Sequence, residues 1–527
     1  MSVVSVGAGA KPADRVKFKN TLARSSCLCG AAAAMLLIGA ARASAQDACG
    51  ALSGGAVVCD PAGGPYVDGV AYAIDAPAPP QDLTITLGDG LLIDTSGGDS
   101  VGVNIFNGAG GSVTVSGSGA TISTSGAGGG VKVVATAGDV MVQVGDVATL
   151  GDHADAIAAS TNYGGDQGGI SISAGAVSTA GLGATGIRAD SYIGDVDIKA
   201  TSVVTTGEGS DAVTVFATYG NASVNIGDVI TEGAGGRGIT AYSQGLTSVV
   251  ADNVYTFGEG DGQDFDAGAI KAVGTAVNVD VGTVRTSGSY AVGIYANTNH
   301  QFSDATIVHP DINVVADVVV TQGYRSDGIV AFNYSEGGAT NVVVGRVSVS
   351  GETANGVSIG GLGDVSLKAD SISTAGTSGN AVDAVSIGGD IAVAVGTIHT
   401  TGTGGYGVKA INYSQEGATT IQVGAIQTTR DYAAGVHAEG YGEVAVTVGQ
   451  VSTNGLAATG VSAFSGFGDV DVHIDKVTTH GDDAVGILTT TYGGGRRLSP
   501  PMSPSRAIAR LAFWPRAVAG SRSMPVT

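Results

Sequence analysis

One phrase, V-x-T-x-G…A-x-G-[I/V]-x-A, recurs along this chain about every 27 residues. Its second apolar anchor falls at thirteen positions from Ile157 to Ile487, a span of 330 residues in 12 steps, or 27.5 residues per step. Self-similarity at a period of about 20–50 residues is typical of solenoid proteins, in which each repeat buries its apolar face only against its neighbours. The anchors between these two are Ile187, Val213, Ile239, Ile270, Ile294, Ile329, Val357, Val385, Val408, Val436 and Val461.

The interior of one repeat indicates the type of solenoid. Between Gly468 and Leu488, apolar and polar residues alternate in three short runs, at 470–474, 477–479 and 485–487. Alternation with a period of two, interrupted by Gly and Asp, predicts three short strands joined by tight turns. We therefore predict an all-β fold, a three-sided parallel β-helix (β-solenoid) of about 15 coils with roughly 27 residues each. Each strand is expected to pair with its equivalent in the next coil, about 4.8 Å away.

Charge is distributed unevenly along the chain. The formal net charge is −22, yet residues 1–45 carry +5 and residues 495–527 carry +6, so the remainder carries −33. A surface this acidic repels nucleic acid and anionic lipid, and it keeps a long molecule soluble. We therefore expect no nucleic-acid partner.

Residues 1–45 are predicted to be a signal peptide. The apolar run 27–41 is too short to span a bilayer and follows a basic segment. The small residues after it form an A-x-A site that ends at Ala45, so we predict cleavage between Ala45 and Gln46 and export of the mature chain. The basic segment contains Arg15, Lys17, Lys19 and Arg24.

Two of the four cysteines remain after the signal peptide is removed. Cys49 and Cys59 form an even pair in an exported chain, which predicts a disulfide between them. Their C-x9-C spacing matches no common metal site. We assign residues 46–80 to an N-terminal cap region that holds this disulfide, and residues 81–494 to the parallel β-helix.

The repeat pattern ends at Gly495. Residues 496–527 contain five Pro, six Arg, the only Trp and no acidic residue. The codons of residues 498–515 can be read again in a frame shifted by two bases. The second and third bases of each new codon are then largely determined by the residues present, and only the first base is free. A permitted reading is V-T-A-D-V-T-V-A-G-D-R-A-P-G-I-L-A, which resembles the last repeat in frame, V-T-T-H-G-D-D-A-V-G-I-L-T from Val477. We predict that residues 495–527 form a disordered, out-of-frame tail and that the next coil is encoded in another frame.

The export signal, the early cysteine pair and the acidic, Gly/Val/Thr-rich β-helix together resemble the passenger domain of bacterial autotransporters. The resemblance covers roughly residues 46–494 and implies a secreted or cell-surface protein with a structural or adhesive role. Its partner would be a surface ligand from a host, a matrix or a polysaccharide. In that family a C-terminal β-barrel carries the passenger through the outer membrane. We find no barrel pattern here and expect the frameshift to have removed it, which would leave the truncated chain in the periplasm.

The alternative function is that of a β-helical polysaccharide lyase or hydrolase. Such a site needs several carboxylates with Arg or Lys clustered on adjacent coils, and residues 46–494 contain only 12 basic residues. No G-x-S-x-G, H-E-x-x-H, P-loop or dinucleotide motif occurs in a fitting context. We therefore expect a non-enzymatic protein without a cofactor, and we assign no catalytic residue.

Two acidic groups are the candidates for metal binding. The first follows i, i+2 spacing on one predicted strand face, where carboxylate and imidazole groups could act as ligands. Outward strand positions are usually polar, so we expect a solvated face there and no metal. The second group lacks the known calcium-loop patterns. The first comprises Asp469, Asp471, His473 and Asp475, and the second comprises Glu259, Asp261, Asp264 and Asp266.

Two repeated polar positions are predicted to be structural. The Thr of V-x-T shares a face with the buried Val, so we expect an inward or corner stack of Thr and no exposed ice-binding array. The Asp of the recurrent Gly-Asp is expected to hydrogen-bond its own backbone in a turn. The Asp positions are Asp139, Asp146, Asp195, Asp228, Asp364, Asp390 and Asp469.

Overall fold

Parallel β-strands stacked coil upon coil make up the described part of the chain. The computed structural model describes residues 48–499 apart from 77, 97, 162–167, 260–267 and 299–309. Within these ranges the only helical segment is the 3-10 turn Pro61–Gly63. The predicted fold is confirmed as an all-β parallel solenoid, with about 16 coils of about 26 residues.

One side of the solenoid is a 16-stranded parallel sheet, to which each coil contributes one strand of five residues. Ile187, for example, pairs with Ile157 on one side and with Val213 on the other. We call it the short-strand sheet. Its strands are β2 (Val70–Ile74), β5 (Val103–Asn107), β8 (Val131–Ala135), β11 (Ile157–Thr161), β13 (Ile187–Ser191), β15 (Val213–Ala217), β17 (Ile239–Ser243), β19 (Ile270–Gly274), β21 (Ile294–Thr298), β23 (Ile329–Asn333), β25 (Val357–Gly361), β27 (Val382–Ser386), β29 (Val408–Asn412), β31 (Val436–Gly440), β33 (Val461–Ser465) and β35 (Ile487–Thr491).

The other two sides form a 20-stranded parallel sheet. In the first coils they are separate strands, and later they join into one strand with a bend, as at Gly175, where the coil-to-coil register skips one residue. The strands are β1 (Ala56–Cys59), β3 (Leu83–Leu87), β4 (Leu92–Thr95), β6 (Val113–Gly117), β7 (Thr121–Thr124), β9 (Val140–Val144), β10 (Val147–Thr149), β12 (Ile170–Thr179), β14 (Val196–Thr205), β16 (Ala222–Thr231), β18 (Leu246–Thr256), β20 (Ala276–Thr286), β22 (Ile312–Thr321), β24 (Thr340–Val349), β26 (Val365–Thr374), β28 (Ile391–Thr400), β30 (Thr419–Thr428), β32 (Val444–Asn454), β34 (Val470–His480) and β36 (Arg496–Ser499).

The core consists of similar side chains stacked from coil to coil. Val177 pairs with Val147 and with Val203, and all three side chains are almost completely buried. β-Branched side chains suit this arrangement because they are stiff at χ1 and pack well on a pleated surface. The predicted inward position of the V-x-T valine is confirmed at Val147, Val177, Val229, Val284 and Val477.

The threonines of the repeat also point inward, as predicted. Thr149 is buried, pairs with Thr179, and donates a hydrogen bond from Oγ1 to the Ala154 carbonyl at 2.7 Å. Val349 takes the same position in one coil, between Thr321 and Thr374. The stack is therefore part of the core, and its hydroxyls are not offered to solvent.

Two strand positions differ from the prediction. The anchor predicted at Val385 is wrong: Val382 pairs with Val357 and Val408, whereas Val385 has outward parity on the same strand. Successive residues of a strand face opposite sides, so a shift of three residues exchanges the inward and outward sets. The third strand of the last repeat begins at Ile487 and continues to Thr491, two residues later than predicted, because Val485 lies in the preceding turn.

The predicted cap region is already part of the solenoid. Strand β1 pairs with β3, and β2 pairs with β5, both in parallel, so the first coil begins at Ala56 and not after residue 80. The weaker repeat phrase at this end hid the coil, although Val70 and Tyr72 are buried in the usual alternation.

The predicted tail boundary at 495 is also too early. Strand β36 pairs in parallel with Val470–His473 of β34, and Leu498 packs against the core. Leu498 takes the inward position equivalent to Val472, and backbone pairing with the open edge of β34 adds the strand. Arg496 occupies the inward position of Val470, where the paired strands below carry Val, Ile, Thr or Ala. Residues 500–527 lie outside the described part of the chain.

Candidate functional site

The Gly-Asp turns connect one coil to the next. Asp139 accepts a hydrogen bond from the Gly169 N–H at 2.8 Å, one coil further on, and Asp364 accepts one from the Asp390 N–H at 2.9 Å. The prediction that these carboxylates serve a structural role therefore needs one correction. Six of the seven satisfy a backbone N–H of the following coil instead of their own turn, because parallel stacking brings that N–H alongside. Asp228 accepts instead from the Asn253 side chain.

The four candidate metal ligands near the end of the solenoid do not converge. Asp469 accepts a hydrogen bond from the Gly495 N–H, while Asp471, His473 and Asp475 lie along the outward face of β34. The contact between His473 Nε2 and Asp475 Oδ1 is 3.4 Å long and exposed. No group of three His, Cys, Asp or Glu side chains among the described residues could hold a metal ion. In the second acidic group, residues 261–266 lie outside the described ranges.

At the N-terminal end, a disulfide joins Cys49 to Cys59, with their Cα atoms 4.8 Å apart. The Tyr72 hydroxyl accepts a hydrogen bond from the Cys49 N–H and donates one to the Gly50 carbonyl, which fixes the segment against the first coil. These contacts indicate that the disulfide helps to hold residues 49–59 against the first coil of the solenoid. The predicted cleavage site, Ala45 and Gln46, lies outside the described residues.

A chain of polar side chains runs along the short-strand sheet over four coils. Asp327 accepts a hydrogen bond from the Asn355 N–H at 2.6 Å, and the Asn355 side chain in turn accepts one from the Asn380 N–H at 2.9 Å. Asn380 Nδ2 donates to Asp383 at 3.2 Å, and Lys409 Nζ lies 3.4 Å from the same carboxylate oxygen. Asn355 Nδ2 donates to Ser358 Oγ at 3.0 Å. We call Asp327, Asn355, Ser358, Asn380, Asp383 and Lys409 the polar cluster.

The two carboxyl groups of the polar cluster have different surroundings. Burial raises the pKa of Asp327 to about 6, the hydrogen bonds from Asn355 oppose this shift, and the charge of Asp383 adds to it. Asp383 faces Lys409, while its Oδ1 is buried and has no hydrogen-bond partner among the described residues. A carboxyl group with a raised pKa beside a second carboxylate is a common feature of acid–base sites, although ion networks with a structural role also produce it.

The next coils continue this line. The ring of His437 packs against Tyr406 at a centroid distance of 5.6 Å, and its Nε2 lies 3.8 Å from Glu439. Burial lowers the pKa of His437, and the charge of Glu439 opposes that shift. Titratable groups thus extend from the polar cluster towards the last coils of the described solenoid.

An aromatic groove of about 340 Å³ lies beyond this line, at the edge where the short strands end. Four of its rings are well exposed: Tyr413 at 54%, Tyr441 at 41%, Phe467 at 65% and Tyr492 at 71%. We use the name aromatic groove for the cavity lined by Ile411, Asn412, Tyr413, Glu439, Gly440, Tyr441, Phe464, Gly466, Phe467 and Tyr492.

The rings of the aromatic groove are ordered by the coil stacking. The Tyr441 and Phe467 rings are nearly parallel, with centroids 6.0 Å apart, and the Phe464 and Tyr492 rings meet edge to face at 5.4 Å. Backbone hydrogen bonds hold the spacing, because the Phe467 N–H donates to the Tyr441 carbonyl and the Tyr492 N–H to the Ser465 carbonyl. The groove is therefore built by the fold and needs no loop to close over it.

Neither the polar cluster nor the aromatic groove was predicted from the sequence. A signal for the groove was present, because an aromatic residue stands five positions after the anchor in several coils, as Tyr413 follows Val408 and Tyr441 follows Val436. The polar cluster had no comparable signal. Its contacts between coils join residues that are 25, 26 or 28 positions apart, and only the coil register brings them together.

The comparisons with known proteins add no identity. No family model, curated protein or solved structure matches this chain. Within the described ranges, no helix has the length and apolar character needed to cross a membrane.

Proposed function

We propose that this chain is an exported, autotransporter-like passenger with a structural or adhesive role at the cell surface or outside the cell. The predicted leader at 1–45, the acidic repeat region and the parallel β-solenoid support this proposal. The observation that carries it is the exposed aromatic groove at the edge of the short-strand sheet. Exposed apolar patches on a soluble surface mark interaction sites, and a solenoid presents such a patch on a rigid scaffold.

Adhesion can be tested with beads coated with the purified mature chain. We expect the beads to attach to surfaces coated with polysaccharide or extracellular matrix, and the same chain to leave soluble polysaccharides intact. Beads coated with the heat-unfolded chain provide the control. Attachment no greater than that of the control would reject the adhesive role.

The second candidate function is polysaccharide cleavage, which the polar cluster favours. In such a reaction Asp327 would donate a proton to the leaving oxygen, and Asp383, positioned by Lys409 and Asn380, would act as the base. The two residues lie two coils apart, or about 10 Å along the axis at about 4.8 Å per coil. Inverting glycosidases hold their carboxyl groups roughly 6.5–9.5 Å apart, so this separation is closer to an inverting than to a retaining arrangement.

Cleavage would be detected as new reducing ends, or as the ultraviolet absorbance of the unsaturated product of a lyase. The matched variants are Asp327→Asn and Asp383→Asn, and the control is Asp471→Asn, which lies outside the polar cluster on the outward face of β34. If both cluster variants lose the cleavage activity and the control variant keeps it, the result would favour the enzyme over the adhesin. Intact polysaccharide in every sample would favour the adhesin.

We also propose that the residues from about 496 onward are encoded out of frame. Arg496 supports this, because it places a guanidinium at the inward position of Val470 and donates to the Thr491 carbonyl at 3.3 Å. The equivalent positions of the preceding coils carry Val, Thr or Ile, so a charged side chain departs from the repeat there. Resequencing the DNA across codons 485–527 tests the proposal, and an unchanged reading frame would reject it.

A further inference from the structure

We propose that the aromatic groove binds an uncharged polysaccharide chain. The inference deepens the proposed adhesive function by naming the chemical class of its ligand. It stands on the shape of the groove, the chemistry of its lining and the charge around it.

The shape of the groove fits an extended polymer. Its rings come from four successive coils, from Tyr413 to Tyr492, so the row is about 14 Å long at about 4.8 Å per coil. The volume of about 340 Å³ is within the range of small-ligand sites and corresponds to a short stretch of ligand. An open groove along an edge lets the rest of a polymer continue on either side.

The lining fits the two kinds of surface that a sugar ring presents. The C–H faces of a sugar are apolar and pack flat on an aromatic ring, while its hydroxyl groups need hydrogen-bond partners. Tyr413, Tyr441 and Tyr492 supply both, because each exposed ring carries a hydroxyl that has no hydrogen-bond partner within the described ranges. Glu439 adds an acceptor at the wall of the groove. Asn412 contributes no free group, since its side chain is buried and bonded to the backbone.

Charge selects among polysaccharides. Glu439 is the only charged side chain among the lining residues, and the whole protein has a net charge of −22. An anionic polysaccharide would be repelled by both, whereas an uncharged one pays no such cost.

A protein partner fits this surface less well. Stable protein interfaces use about 20–30 residues on each partner, whereas ten residues line the groove. Strand addition is also disfavoured here, because the short strands already pair with those of the neighbouring coils. Binding of a protein ligand to the groove is therefore one of the outcomes that the test below distinguishes.

Isothermal titration of the purified chain tests the proposal with four probes: laminarin, galactomannan, dextran and the anionic polymer polygalacturonate. We expect at least one uncharged probe to bind and polygalacturonate not to bind. In Tyr441→Ala and Phe467→Ala, Kd should rise about tenfold or more, because each removes one stacking ring. Tyr441→Phe, which keeps the ring, should lose less than Tyr441→Ala.

The matched control is Tyr219→Ala. Tyr219 is 55% exposed at the same edge of the solenoid but lies outside the groove, so its loss should leave Kd unchanged. Circular dichroism and melting curves check that all variants fold. The proposal is overturned if no uncharged probe binds, if polygalacturonate binds better, if the groove variants bind like the control, or if only a protein ligand competes for the groove. These measurements use purified protein, so a failure of export would not affect them.

Discussion

At the residue scale, the inward Thr stack contains two kinds of hydroxyl. Thr321 Oγ1 donates to the Ser326 carbonyl at 2.7 Å, whereas the buried Oγ1 of Thr400 has no hydrogen-bond partner among the described residues. An unpaired buried hydroxyl destabilises the folded state, while a paired one contributes about 1 kcal/mol. Val349 shows that the stack accepts a valine in this position.

This difference predicts opposite effects for the same substitution. Thr400→Val should leave the free energy of unfolding unchanged or raise it by up to about 1 kcal/mol, while Thr321→Val should lower it by about 1 kcal/mol. Chemical denaturation of the two variants measures both values. Equal losses in the two variants would contradict the assignment of the hydroxyls.

The half-buried carboxyl group of Asp327 predicts a dependence of stability on pH. Its pKa is about 6 in the folded state and 3.8 as an unperturbed group. The folded state therefore binds the proton more tightly, so this group lowers stability as pH rises from about 4 to about 6 and adds no further change above that. The full effect is on the order of 3 kcal/mol at about 1.36 kcal/mol per pH unit.

Asp327→Asn should remove this slope and be more stable than the parent chain at pH 7. Denaturation curves at pH 4, 5, 6 and 7 measure the slope, with Asp471→Asn, on the outward face of β34, as the control that keeps it. An unchanged slope in Asp327→Asn would mean that another group causes the pH dependence.

At the element scale, adjacent positions of one strand face opposite sides of the sheet. Val177 is buried and Ser178 is exposed on β12. An unpaired carboxylate placed in the core costs about 3–5 kcal/mol, whereas the same group on the surface costs little.

Val177→Asp should therefore unfold or fray the neighbouring coils, and Ser178→Asp should behave like the parent chain. Limited proteolysis locates the damage, with new cuts expected in the coils next to β12 for the first variant only. Similar cleavage in both variants would contradict the predicted inward and outward faces.

The last strand offers a second matched pair. In β36, Arg496 pairs with the inward Val470, and Arg497 pairs with the outward Asp471. Arg496→Val should extend the apolar stack and slow hydrogen exchange in β34, with a gain of about 1–2 kcal/mol from buried apolar surface. Arg497→Val should give no such gain. An equal response of the two variants would remove the argument that Arg496 is out of place.

At the scale of the whole molecule, the sequence predicts the fold well because the same contacts are repeated in every coil. An error in predicting the anchor of one coil, such as Val385 in place of Val382, does not carry over to the next coil. The anchors of the neighbouring coils, Val357 and Val408, are predicted independently and pair with Val382. The first coil and β36 were missed because end coils depart from the repeat and only pairing reveals them.

The candidate site was less accessible from the sequence. Asp327 and Asp383 are unremarkable in their own coils, and their relation depends on stacking across residues that are 56 positions apart. Asp471, His473 and Asp475 were candidate metal ligands because they are close in sequence and share the outward face of β34. Side chains spaced along one strand do not converge on a common point, and no metal-binding group is found among the described residues. Function in a solenoid lies across coils, so the sequence must be aligned coil by coil before a site can be found.

The central claim, that this chain is an exported passenger, is tested most directly by the intact mass of the protein recovered from the periplasm or medium of a diderm host. We expect a mature chain that begins at Gln46, with Cys49 and Cys59 resistant to alkylation until a reductant is added. A full-length chain that retains residues 1–45 and carries two alkylatable thiols would contradict it.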